Sequence, residues 1–583
     1  MSFCTECGIK LDAEARYGNF CPDCGAPLPK EEESNQDIFS GIKSAPIIPS
    51  QFTPPAMPSF SSGPSKPKMP PIPGQKPVVD SLDDEDLSKR LEAFKSGYSS
   101  YGIIFTDTRK IAKQSRTTSN EIYNLIKNYS VKLSNFGHQY IVYDIDSTRL
   151  KDQGWQTYVN ELSTFYDKQQ IQPEYLFIIG GTEIIPMPIF DNWVDVDVPD
   201  FDYDTDLPYS YLKSYDVEEM AWDGSLYYED VKLHVGRLPF GEDFNKSQLT
   251  NYFDKVILAL SQGFEIGNCF GLSASGWQDA SETVLDSLSI ENKDINFSPD
   301  VSLYSVDEVF DEASDILYFN LHGSDAPEQP HFFGDYDPAI STDQISRMEK
   351  NNIIITEACY GAKFIGYDTS NSMLLNSIHK KTLAYFGSSR IAFGSSTYYL
   401  FSADIIAQSI LGSISDNMTM GQALSKARVD NIDSAEFEDD YSLIDLSLVT
   451  AIEFNLFGDP ALRPFNGSID YNTKHKVASA KKVPAKVISE EIFNKSKPQN
   501  ILEAVRAAVD SEFDKISKII QQELYQHYDL RPEELQKITH KKSTSSEQYL
   551  YMYSKKQKNA LKNKLYFVNC SSEGSIKKVI TSK

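Results

Sequence analysis

Ile316-Leu317-Tyr318-Phe319-Asn320-Leu321-His322-Gly323 and Ile353-Ile354-Ile355-Thr356-Glu357-Ala358-Cys359-Tyr360-Gly361 decide how this 583-residue chain is read. Each opens on an unbroken aliphatic and aromatic run, the pattern of a strand buried on both faces of a parallel sheet. Parallel neighbours would bring both C-terminal ends to one edge, where α/β proteins bind ligands. A histidine therefore stands at one strand end and a cysteine at the next. A thiolate attacks carbonyl carbon, and an imidazole within reach can take the thiol proton and return it to a leaving amine. His322 and Cys359 are the candidate catalytic pair, and the backbone N–H groups of Gly323 and Cys359 are the candidate oxyanion donors. Gly323 and Gly361 permit the sharp exit from each strand and close approach of a substrate backbone. The plain alternative is a structural cysteine with an unrelated histidine.

Outward from these strands, helix and strand patterns alternate. Tyr101 to Thr106, Tyr140 to Tyr143 and Tyr175 to Ile179 read as strands, and Thr117 to Phe136 and Trp155 to Tyr166 as amphipathic helices. A second round begins near Asn268, includes the strand Thr382 to Phe386 and the helices Phe401 to Leu411 and Gly421 to Val429, and closes near Pro464. The fold class is thus α/β: a two-subdomain body over residues 87–265 and 266–466, with mostly parallel sheets flanked by helices.

Several landmarks then carry a resemblance. Ala358, Cys359 and Gly361, with the histidine upstream, look like the caspase nucleophile signature. The order Phe177-Ile178-Ile179-Gly180-Gly181-Thr182-Glu183-Ile184-Ile185-Pro186, Val235-Gly236-Arg237-Leu238-Pro239, Ala384 to Arg390 and Leu456-Phe457-Gly458-Asp459-Pro460-Ala461-Leu462 is similar to the gingipain family of caspase-fold cysteine peptidases. That resemblance implies a caspase-like body and a protein substrate. It also implies that Asp206, in Thr205-Asp206-Leu207-Pro208-Tyr209-Ser210, lines a specificity (S1) pocket for Arg or Lys, whose cations a buried carboxylate would pair with. The surrounding cluster Asp191, Asp195, Asp197, Asp200, Asp202, Asp204 and Asp206 could instead be a solvated loop or a calcium site of hard oxygen ligands.

At the N-terminus, Cys4-Thr5-Glu6-Cys7-Gly8 and Cys21-Pro22-Asp23-Cys24-Gly25 form two Cys-x-x-Cys-Gly knuckles, the pattern of a structural zinc ribbon over residues 1–30. Four thiolates would fill a tetrahedral ion and leave no open position for chemistry. A Pro- and Ser-rich linker follows over residues 31–86. Beyond the body come a basic linker (467–497) and a C-terminal helix-rich, α+β module (498–583). The module opens on a helical stretch from Gln499 to Tyr528, with strands at Gln548 to Tyr553 and Leu565 to Val568.

A net charge of −27 argues against general nucleic-acid binding, which needs a basic face. The end of the chain runs the other way, with eleven lysines against Glu547 and Glu573 from Lys537 onward, a local balance of 11 − 2 = +9. No apolar run reaches the eighteen or so residues of a bilayer span, and the start Met-Ser-Phe carries no apolar leader, so a cytoplasmic, reducing setting is expected. The flanking modules suggest control by a regulatory protein. Two rival readings remain: a scaffold whose thiol is unused, and nucleic-acid binding through the ribbon and lysine tail.

Overall fold

The computed structural model describes residues 2–3, 10–11, 100–169, 172–190, 203–213, 231–335, 337–396, 399–435 and 441–464. Within 517–582 it describes 517, 520, 521, 524, 525 and four strands. The chain forms two compact units, Met1–Val78 and Val79–Lys583. In the first, Ser2–Phe3 pairs antiparallel with Lys10–Leu11. The proposed zinc ligands Cys4, Cys7, Cys21 and Cys24 lie outside the described residues.

The second unit is built on one ten-stranded sheet. Its strands are β1 (Ser100–Thr106), β2 (His138–Asp144), β3 (Tyr175–Ile179), β4 (His234–Leu238), β5 (Asn268–Ala274), β6 (Asn292–Ser298), β7 (Ile316–Asn320), β8 (Asn352–Thr356), β9 (Thr382–Ser388) and β11 (Phe454–Gly458). The spatial order is β6-β5-β7-β8-β9-β11-β4-β3-β1-β2. β9 and β11 pair antiparallel, while β11 runs parallel to β4. The two predicted rounds therefore share a single continuous sheet, and their parallel sets run in opposite directions. All residues of β3, β7, β8, β9 and β11 are buried, as expected of strands covered on both faces.

Helices supply the cover, and local sequence starts and stops them. α1 (Ser119–Ser134) begins where the Thr118 hydroxyl accepts the Glu121 N–H, and its buried stripe is Ile122, Ile126, Tyr129 and Leu133. α2 is Trp155–Asp167 and α3 the short Leu207–Tyr211. α4 (Lys246–Gln262) opens on an Asn245–Gln248 capping box and stops at Gly263, whose φ is 80°. α5 (Ala403–Ser415), α6 (Met420–Ala435) and α7 (Tyr441–Glu453) complete the second half.

The landmark motifs meet at the seam between the halves. Arg237 of β4 lies in register with Phe457 of β11. A Cβ on Gly236 would fall 2.3 Å from the Gly458 carbonyl oxygen, so only glycine allows that approach. Asp459 ties the seam to the first half by accepting hydrogen bonds from Tyr129 (2.8 Å) and Tyr140 (2.5 Å). Burial pushes the Asp459 carboxyl above its ordinary pKa.

In the C-terminal module, the expected strands at Gln548 to Tyr553 and Leu565 to Val568 form within a larger sheet. Its described part is dominated by four antiparallel strands, β12 (Leu535–Lys542), β13 (Gln548–Lys555), β14 (Lys564–Ser571) and β15 (Ile576–Ser582). The body strand β10 (Phe393–Ser395) joins them in the order β10-β15-β14-β13-β12. Alternating Tyr551 and Tyr553, with Val568, Cys570 and Val579, pack on Ile520 and Leu524, so one face of the sheet has a core. Most of the predicted Gln499 to Tyr528 helix lies outside the described residues; 517, 520, 521, 524 and 525 are helical. Among the described residues no helix is long and apolar enough to cross a membrane.

Candidate active site

Four neighbouring strands, β5, β7, β8 and β9, run parallel and end on one edge. The exits of the middle two carry His322 and Cys359. A Cβ added to Gly323 would sit 1.6 Å from the Cys359 carbonyl oxygen and 3.3 Å from the Ala358 Cβ. The backbone after His322 therefore lies directly against the backbone of Cys359, a contact closed to any other residue type. His322 is held from the other side by paired backbone bonds with Phe333, N–H to carbonyl and carbonyl to N–H, both 2.8 Å. The Trp277 indole packs edge-on against the imidazole at 4.4 Å between ring centres.

Cys359 leaves β8 through a tight turn. The Ala358 N–H donates to the Thr356 hydroxyl (3.2 Å), and the Gly361 N–H to the Ala358 carbonyl (3.0 Å). Tyr360, immediately after the cysteine, has φ of 56°, a left-handed conformation that costs a non-glycine residue about 1–2 kcal/mol. Its N–H donates to the Arg390 carbonyl, which fixes the strained turn to the exit of β9. The Cys359 Sγ lies 3.5 Å from the Ala392 carbonyl oxygen. Both candidate catalytic side chains are nearly enclosed, at 6 % exposure for His322 and 5 % for Cys359.

Asp206, the S1 candidate, is paired with an arginine of the chain itself. Its two oxygens accept from the Arg237 Nε (2.8 Å) and Nη2 (2.6 Å). Arg237, fully buried, spends its remaining nitrogen on the Gly180 and Ile185 carbonyls, both at 2.9 Å. The carboxylate is thus the internal counter-ion of a buried guanidinium, because an unpaired Arg237 would be too costly to bury. Asp204 is engaged similarly by Arg390, at 2.9 and 3.1 Å. Asp204 and Asp206 of the acidic cluster thus carry arginine partners, while Asp191, Asp195, Asp197, Asp200 and Asp202 lie outside the described residues. Among the described residues no cluster of three or more His, Cys, Asp or Glu side chains could hold a metal.

Sequence reading missed four side chains at this edge. Trp277 comes from the short turn after β5, and nothing local marks it as a neighbour of His322. Glu357 stands in the quoted motif, yet only the fold shows that Tyr318 of β7 donates to it at 2.5 Å. Asp404, at the start of α5, accepts the Ser395 (2.6 Å) and Phe401 (3.1 Å) N–H groups and so fixes β10. Glu453 is fully buried beside Ser388, and burial raises its pKa well above the carboxylate range.

The family model described as peptidase family C25 matches residues 117–465. Among solved structures, the Arg-specific cysteine proteinase gingipain R aligns with 13 % identity and a TM-score of 0.44 over 63 % of this chain and 78 % of its own. The complex of the Porphyromonas gingivalis RgpB pro- and mature domains gives 13 % and 0.44 over 62 % and 79 %. A chain described as a protease gives 11 % and 0.44 over 83 % and 97 %. No curated protein matches.

Proposed function

Because the chain belongs to peptidase family C25 and is a cysteine-type peptidase, we propose that it is an endopeptidase that cuts proteins with Cys359 as nucleophile and His322 as acid and base. The observation that carries this reading is the contact of Gly323 with the Cys359 carbonyl, which sets the two strand exits side by side.

In the proposed reaction His322 takes the thiol proton as Sγ bonds to the scissile carbonyl carbon. The negative oxygen so formed is met by the N–H groups of Gly323 and Cys359. Collapse breaks the C–N bond, His322 protonates the departing amine, and a thioester remains. Water, deprotonated by His322, then releases the acid and restores the thiol. The strained turn at Tyr360 would hold the nucleophile at the strand exit throughout.

A preference for Arg or Lys rests on the resemblance to gingipain and on the chain's net charge of −27, which would draw basic substrates. Asp206 could serve it only after release from Arg237. A structural zinc at Cys4, Cys7, Cys21 and Cys24 fits the donor chemistry, and the Ser2–Phe3 with Lys10–Leu11 pairing suits a knuckle between them. Elemental analysis should return one zinc per chain. A reducing, cytoplasmic setting would keep the four ribbon thiolates available to the zinc. The decisive assay is hydrolysis of arginyl, lysyl and leucyl fluorogenic peptides by the intact chain. Turnover should vanish in Cys359→Ala, and turnover independent of that thiol would favour the scaffold reading.

A further inference from the structure

The strand that follows Ala392 is not left open. β10 (Phe393–Ser395) begins one residue beyond the carbonyl that faces the Cys359 thiol, and it is paired antiparallel with the chain's own C-terminal strand: Phe393 opposite Ser582, Gly394 opposite Thr581, Ser395 opposite Ile580. The same C-terminal strand reaches the histidine. The Trp277 Nε1–H donates to the Thr581 hydroxyl at 3.0 Å, and that indole packs on His322. One strand from the far end of the sequence thus touches both sides of the candidate site, and both candidate catalytic side chains are almost closed to solvent.

An extended polypeptide is bound most simply by adding itself to a strand edge, with backbone hydrogen bonds supplying affinity for any sequence. A strand edge starting beside the nucleophile is therefore where a substrate backbone would lie. We propose that β15 is an intramolecular occupant of that edge, and that the C-terminal sheet is a cap that lowers the turnover of the intact chain, substrate entering only in molecules where β15 has left β10. This rests on the assignment of Cys359 as nucleophile. Asp404 keeps β10 in place from the body side, so departure of β15 would expose a formed edge rather than dissolve it. Activity of the capped chain is that of the open enzyme multiplied by the fraction of molecules in the open state.

The test uses the full chain and reads three buried cysteines, Cys359, Cys269 and Cys570. Thr581→Pro removes a backbone donor from the β15 residue opposite Gly394, whereas Thr581→Val keeps the strand and loses only the bond to Trp277. Alkylation by iodoacetamide, resolved by peptide mass spectrometry, reports opening at Cys359. Cys269 in β5 monitors the body, and Cys570 in β14 monitors the module. The proposal expects Cys359 labelling and peptide hydrolysis to rise together, by about tenfold or more in Thr581→Pro and about two- to tenfold in Thr581→Val, with Cys269 labelling unchanged. If Thr581→Pro unfolds, shown by Cys269 labelling, Thr581→Val carries the test. Faster Cys359 labelling without hydrolysis would keep the cap and sink the peptidase assignment of this thiol. Hydrolysis that is brisk in the parent chain and equal in both variants would keep the assignment and overturn the cap. Unchanged labelling at Cys359 in both variants would also overturn it.

Discussion

Replacing Asp206 and Arg237 separates two roles for the acidic residue that resembles a specificity determinant. Arg237 is fully buried and makes four hydrogen bonds, two to Asp206 and one each to the Gly180 and Ile185 carbonyls. In Arg237→Leu a buried carboxylate is left without its counter-ion, at a cost of about 3–5 kcal/mol. Two carbonyls also lose their donor, at about 1–3 kcal/mol each. The total, at least about 5 kcal/mol, approaches the whole stability of a typical domain. Asp206→Asn keeps the shape but leaves the guanidinium uncompensated, about 3 kcal/mol, or roughly 4 °C in Tm for a body this large. Thermal unfolding and kcat/KM for arginyl and leucyl peptides are the paired assays. The structure predicts that Asp206→Asn melts early and loses activity on both substrates in proportion. A variant that melts within about 1 °C of the parent, and loses only its turnover of basic peptides, would refute this and restore Asp206 to the pocket.

Two further outcomes follow from particular contacts. Gly323→Ala puts a methyl group 1.6 Å from the Cys359 carbonyl, so the strand exits must separate; kcat/KM should fall at least about a hundredfold, and a variant with parental activity would break the claimed juxtaposition. His138 is fully buried and its pKa is pushed down to about 3 by burial, so its contribution to stability is complete above pH 6.5 and is lost as pH falls toward 3. Between pH 6.5 and 5 that is about 2 kcal/mol, and His138→Gln should flatten the urea-midpoint profile by that amount. Identical slopes for parent and variant would contradict it.

Much of the body was legible because its signals are local. The runs Ile316 to Leu321 and Ile353 to Thr356 are so uniformly apolar that only strands covered on both faces suit them, and both form such strands. The amphipathic stripe of Thr117 to Phe136 likewise becomes α1. The seam was not legible: β11 pairs antiparallel with β9 and parallel with β4, and no periodicity distinguishes one sheet from two. Asp206 shows the same limit. Its carboxylate resembled a pocket residue in sequence, but Arg237, thirty-one positions later, claims it in three dimensions. β15 was missed because Lys577, Lys578 and Ser582 dilute its alternation. Its place is fixed by its partners, Phe393 to Ser395, and not by its own pattern.

The most direct test of the central claim is chemical. A peptidyl acyloxymethyl ketone should form a stoichiometric thioether on Cys359, rapidly in Thr581→Pro and more slowly in the parent chain, and none on Cys269 or Cys570, and His322→Ala should slow that reaction by orders of magnitude. Modification of another cysteine, or a rate at Cys359 indifferent to His322, would contradict the account.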